Sequence, residues 1–223
     1  MTMIDLHTHT TFSDGVLIPA ELVRRAVKAG YKAIALTDHA DHSNLDLILS
    51  NIGRFVAETG AFLGLTALYG VEITHVPPPL IPQLVERARA AGAQLVVVHG
   101  ETIVEPVETG TNLAAIEGGC DILAHPGMIT PEEAELAAER GVALEITTRK
   151  GHSLTNGHVA AMARRFGAKL VIDNDAHAPE DFVSQDRRKK VALGAGLSLD
   201  EYLQAEANSR DIVARILGRG RAD

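Results

Sequence analysis

The stretch Met3-Ile4-Asp5-Leu6-His7-Thr8-His9 joins a short apolar run to a His-x-His pair almost at the N-terminus. As a strand it alternates its side chains between two faces, so His7 and His9 point the same way. Two imidazoles two residues apart can hold one metal ion. Such a pair also occurs by chance, so its meaning depends on whether later strands bring more ligands to the same place.

Six further apolar runs suited to buried strands follow, at residues 32–37, 65–74, 94–99, 121–125, 142–146 and 169–173. Between them lie amphipathic segments. Pro19 opens a helix that stops at Gly30, the expected placement of these two terminators. Residues 45–58 carry Leu45, Ile48, Leu49, Ile52, Phe55 and Val56 at helical spacing. Helices are also expected at 81–91, 112–117 and 157–166. Thr130-Pro131-Glu132-Glu133 is a capping box with proline at the first helical position, and Ser198-Leu199-Asp200-Glu201 opens a C-terminal helical region. Strands apolar on both faces, alternating with helices, imply parallel pairing with helical crossovers. About seven such units suggest an α/β barrel, closed or nearly so. An open doubly wound sheet would normally show a Gly-rich phosphate loop, and no such pattern occurs here.

The chain has 223 residues, 46% hydrophobic and 22% charged, with a formal net charge of −8. With no linker-like composition shift, one domain over residues 1–223 is expected. The net charge has the wrong sign for a protein that lives on phosphate backbones, which disfavours long nucleic acids as partners. The longest apolar runs, such as residues 95–98, are far too short to span a bilayer. No basic segment followed by an apolar core marks a leader. One cysteine, Cys120, fits a reducing compartment, so a cytoplasmic location is expected.

The strand ends carry the chemistry. His7, His9 and Asp14 follow the first strand, Thr37-Asp38-His39 the second, and Gly70-Val71-Glu72 lies near the end of the third. The fourth ends in His99 and the fifth in His125, and the last leads to Asp175 and His177. In a parallel α/β barrel all these ends open on one rim. Six of the ten histidines thus sit at strand ends, mixed with three carboxylates. Nine such groups exceed what one tetrahedral ion needs, so two or three metals are implied. Nitrogen and oxygen ligands without thiolate suit zinc, manganese or iron alike. Glu72 is a natural bridging ligand.

In order and combination, these motifs resemble the PHP (polymerase and histidinol phosphatase) family, over residues from about 4 to 178. The resemblance implies a distorted (β/α)7 TIM-like barrel with a trinuclear metal centre at the strand C-terminal rim. It also implies hydrolysis of a small phosphomonoester by a metal-bound hydroxide. It would place His7, His9, Glu72 and Asp175 on one ion, Glu72, His99 and His125 on a second, and Asp14, His39 and His177 on a third. Family members vary at the Asp14 place, where some carry histidine. The compact length resembles stand-alone histidinol-phosphate phosphatases.

Asp14, Asp38 and His39 are the candidate catalytic residues beside the metals, Asp38 orienting a ligand or capping its loop. Arg149 and Lys150 follow the sixth strand, the one read as bringing no ligand, and are candidates for the substrate phosphate. Asp41, His42, Glu101 and Glu105 lie in rim loops. His75, His152 and His158 read as surface or core residues, and Cys120 as core. Arg187-Arg188-Lys189-Lys190 reads as a solvated helix face. Three other readings remain: a nucleotide or oligonucleotide phosphoesterase of the same family, a non-catalytic metal-binding module, and an amidohydrolase. The last would usually want a ligating lysine after a middle strand, and none sits there.

Overall fold

A computed structural model describes residues 2–219. Parallel strands follow one another around the sheet in the order β1 (Met3–Asp5), β2 (Tyr31–Leu36), β4 (Thr66–Ile73), β5 (Leu95–His99), β6 (Ile122–Ala124), β7 (Ala143–Thr147) and β8 (Leu170–Asp173). These are the seven strands expected from the sequence, nearly closed into a distorted barrel. The sequence missed β3 (His39–Ala40), a two-residue strand pairing with β4 so that His39 lies beside Glu72.

Among the described residues eight α-helices follow the strands, the last two both after β8: α1 (Pro19–Ala29), α2 (Leu45–Thr59), α3 (Ile81–Ala90), α4 (Thr111–Glu117), α5 (Pro131–Arg140), α6 (Asn156–Phe166), α7 (Gln185–Gly194) and α8 (Leu199–Arg219). Their ends follow local chemistry. Gly30 adopts a left-handed conformation that stops α1, and Thr130 and Glu133 form the reciprocal cap of α5. Among the described residues no helix is long and apolar enough to cross a membrane.

Strand alternation divides the core in two. Val96, Val98, Leu144 and Ile146 face the helices. Leu68, Leu95, Val97, Ile122, Ala143 and Val171 fill the barrel interior, closed below by Ile212, Val213 and Ile216 of α8. Two residues beyond Val97, Ala143 and Val171 come His99, Glu145 and Asp173, and four beyond Leu68 comes Glu72, all on the same faces and all buried. The interior is therefore apolar at the bottom and ionisable at the top.

Gly70 is the one residue that fits its place in β4. A Cβ there would lie 1.9 Å from the Leu95 carbonyl oxygen. Gly70→Ala is expected to push β5 away from β4 and to cost about 1–3 kcal/mol, the usual range for overpacking. Urea unfolding of the variant checks this, and a midpoint equal to that of the parent protein would refute it.

The barrel closes by different means. β1 and β8 meet only through an isolated bridge at Thr8 and Ala176, beyond both strands. Between the strands themselves side chains replace the ladder. Asp173 Oδ1 accepts from the Leu6 amide at 2.6 Å, and Asp5 Oδ1 from the Asn174 amide at 3.0 Å. Arg188 of α7 enters the seam fully buried and donates to the carbonyls of Ile4 (2.7 Å) and Ile172, while its Nε pairs with Glu206 Oε1 at 2.6 Å. This corrects the reading of residues 187–190 as a wholly solvated face. Its neighbours Arg187 and Lys190 are exposed, but Arg188 is the bolt of the seam.

Candidate metal centre

All nine strand-end side chains converge on the C-terminal rim. Three sets drawn from these nine have ligand atoms mutually close enough to share an ion: His7, His9 and Asp175; Glu72, His99 and His125; and His9, Asp14, His39 and His177. Glu72 lies among them, with His39 Nδ1 at 2.7 Å, His7 Nε2 at 3.2 Å, His9 Nε2 at 3.6 Å and His125 Nε2 at 3.7 Å. Burial pushes the Glu72 carboxyl up, but His7 and His39 outweigh it and hold it well below the usual carboxylate range. Asp175 is likewise opposed by burial and is held well below its ordinary value by His7 and His9.

Several rings are fixed with Nε2 toward the centre. His99 Nδ1 donates to the Gly100 carbonyl at 3.1 Å and His177 Nδ1 to the Asp175 carbonyl at 2.9 Å. His7 Nδ1 donates to Glu145 Oε1 at 2.8 Å. A carbonyl or carboxylate can only accept, so each contact sets the tautomer. His125 and Asp175 hold positive φ angles of 29° and 53°, conformations that non-glycine residues keep only where their surroundings enforce them.

The donor set fits divalent cations. His7 Nε2, both His9 nitrogens, Glu72 Oε1, His125 Nδ1 and Asp175 Oδ1 are buried without a hydrogen-bond partner. Buried polar atoms are normally satisfied, and six of the ten unsatisfied ones among the described residues belong to this ligand cluster, the others lying on Asp173, Arg188, Tyr202 and Glu206.

Glu145 is a residue the sequence reading missed. The sequence assigns no rim ligand to β7, yet its fully buried Glu145 orients His7 and also accepts from the His125 amide at 2.9 Å. Burial raises its pKa despite the His7 contact. The signal was a charged residue between Leu144 and Ile146 in an otherwise apolar strand. Glu145→Ala is expected to lower metal affinity and turnover by about 10–100-fold, the usual effect of losing a ligand's orienting partner. Metal analysis with steady-state kinetics checks this, and unchanged metal content and kcat would refute it.

His152, expected from the sequence as a surface or core residue, joins the centre's margin. It is buried, stacks on His125 at 4.3 Å between ring centroids, and could share an ion with His125 and Asp175. Glu105, from the long loop after β5, reaches His99 at 3.1 Å and His152 at 3.3 Å. Asp38 stands one step back. Its carboxylate accepts from Thr10 N at 2.7 Å and Ser13 Oγ at 2.8 Å, fixing the loop that carries Asp14. Arg149 lies at the edge, its Nε 3.4 Å from Asp175 Oδ2, whereas Lys150 faces a neighbouring cavity with no ligand atom at the centre. Asp41 bonds Ser43 at the surface, His158 bonds the Ile129 carbonyl, and Cys120 is buried.

Residues 5–102 match the PHP domain model. The chain is 51% identical over 199 residues to an uncharacterized protein of Methanocaldococcus jannaschii, covering 88% of this chain and 91% of that one. It is 27% identical over 222 residues to a probable phosphatase of Thermoanaerobacter, covering 92% and 91% of the two chains. A chain in the structure of archaeal ribonuclease P with mature tRNA shares the fold, with a TM-score of 0.70 at 16% identity, over 96% of this chain and 91% of that one. With the motifs in order along the barrel and their side chains gathered on its rim, the chain belongs to the PHP family.

Proposed function

We propose that this protein is a metal-dependent phosphatase acting on a small phosphomonoester. The observation that carries the reading is the group of six unpartnered buried nitrogen and oxygen atoms on five ligand residues of one rim. His7, His9 and Asp175 would hold one ion, Glu72, His99 and His125 a second, and Asp14, His39 and His177 a third. Zinc, manganese or iron bound there would activate water and offset the charge of a phosphoryl group.

The chain's own residues then have distinct tasks. Glu72 supplies negative charge between the ligand groups. Glu145 keeps the His7 Nδ1 proton and leaves Nε2 free for a cation. Asp38 holds the loop of Asp14, which is the most exposed of the nine and stands with His39 at the outer edge, where a leaving group departs. Arg149 is placed to grip phosphoryl oxygens beside Asp175. The similarity to a probable phosphatase of nearly the same extent supports a compact enzyme for a small ester. A cytoplasmic setting suits its single buried cysteine.

The test is phosphate release from a panel of histidinol phosphate, sugar phosphates, mononucleotides and short oligonucleotides, after metal analysis of the purified protein. A monoester is expected to be hydrolysed, with activity lost to a chelator and restored by added metal. A metal-loaded protein that cleaves only oligonucleotide diesters, or nothing at all, would overturn the reading.

A further inference from the structure

Beyond Arg149 the rim opens into a second cavity of about 420 Å³, lined in part by Arg149, Lys150, Asn174, Asp181 and Arg187. The cavity shares one wall with the metal centre. Arg149 turns its Nε to Asp175 Oδ2 at 3.4 Å and donates from Nη1 to the Asp175 carbonyl at 3.1 Å. Asp175 Oδ1 is in turn 3.1 Å from His9 Nε2. One arginine side chain therefore separates the cavity from the ligand cluster.

The charges around this cavity are unevenly satisfied. Asp181 is already engaged. Its Oδ2 accepts from the amides of His177 and Ala178, both at 2.9 Å, and lies 3.4 Å from Arg149 Nη1. Lys150 and Arg187 form no ion pair among the described residues. Glu180 also lines the cavity and pairs with neither. With Arg149 and Asp181 committed to each other and to their neighbours, two unpaired cations, Lys150 and Arg187, face one unpaired carboxylate, Glu180, in a chain whose net charge is −8. Cations left unpaired beside a pocket in an acidic protein are placed for an anion.

We infer that this cavity is a subsite for a second anionic group, a phosphate or carboxylate, carried by the same small substrate whose phosphoryl group enters the metal centre. The inference rests on the phosphatase reading above. Arg149 lies between the two anions, and Lys150 and Arg187 hold the second. A substrate with a cationic tail, as in histidinol phosphate, meets repulsion there, whereas a substrate with anions at both ends is matched. The selectivity arises from difference of charge rather than from new apolar contact.

The probes are α,ω-alkanediol bisphosphates of two to six carbons and the corresponding monophosphates, hydrolysed by the metal-loaded protein. At one chain length the bisphosphate is expected to have a kcat/KM at least tenfold above its monophosphate, expressed mainly in KM. In the double variant Lys150→Ala/Arg187→Ala that ratio falls to within threefold of unity. Both residues are exposed, and a thermal melt verifies that the variant folds. A ratio near one at every length, or a preference untouched by the double variant, overturns the subsite while leaving phosphatase activity standing. No hydrolysis of any monoester overturns both. A tenfold preference for a 5′-phosphorylated dinucleotide over every diol bisphosphate overturns the small-molecule assignment.

Discussion

Glu72→Ala is expected to remove at least one bound metal ion and to lower turnover by about 10³-fold or more. Glu72 is the only carboxylate among the described residues that lies within 4 Å of His7, His9, His39 and His125 together. Its loss takes an oxygen ligand from the His99–His125 set and the central negative charge from its neighbours. A correctly held cation supplies several kcal/mol of transition-state stabilisation, and each 1.36 kcal/mol is tenfold in rate. Metal analysis and kinetics on the same preparation read both effects, with circular dichroism to check the fold. Glu72→Asp, which keeps the charge but retracts the oxygens, should fall between. An alanine variant that keeps full metal content and rate would remove Glu72 from the centre.

The second large effect falls on stability. Arg188→Ala is expected to cost about 3–5 kcal/mol, because it strands Glu206 and leaves the Ile4 and Ile172 carbonyls without a donor. In a chain of this size that is roughly 10 °C or more in Tm. Arg188→Met combined with Glu206→Leu should recover part of the loss, since the uncompensated charge is gone. The penalty should also depend on pH. Burial pushes Asp5 up to about 6, against the opposing pull of Arg188. A carboxyl raised in this way costs no stability when protonated, at pH below about 4, and costs progressively more as pH rises through its folded value. Removing the nearby cation deepens that cost, so Arg188→Ala should be more damaging at pH 8 than at pH 5. Urea titrations at both pH values test this, and a smaller loss at pH 8 would refute it.

The barrel was legible because its strands are apolar on both faces, a pattern that follows from burial between helices and a filled interior. The nine rim side chains were legible for a related reason, since each lies at or just past the end of such a run. What escaped was settled by distant partners. Glu145 is set in a strand whose neighbours look purely structural, and only the fold brings it to His7, 138 residues away. Arg188 shares its sequence environment with exposed cations. Its burial depends on Ile4, 184 residues earlier. His39–Ala40 is too short for any periodicity and owes its strand geometry to pairing with β4. His152 opens a four-residue 3-10 helix, His152–Thr155, too short for sequence spacing to give a direction.

The side-chain seam also bears on when the protein becomes whole during synthesis. Leu6 and Asp173, which meet across it, are separated by 167 residues. Such contacts repay their loop-closure entropy late, after the sequential strand pairs have formed. His7 and His9 come from one side of the seam and Asp175 and His177 from the other. A ribosome-bound chain that has exposed β1 to β6 and the residue after them therefore has His99 and His125 in hand but not the completed set of donors. Firm metal uptake should accordingly coincide with ring closure, so that truncated chains neither retain ions nor hydrolyse esters.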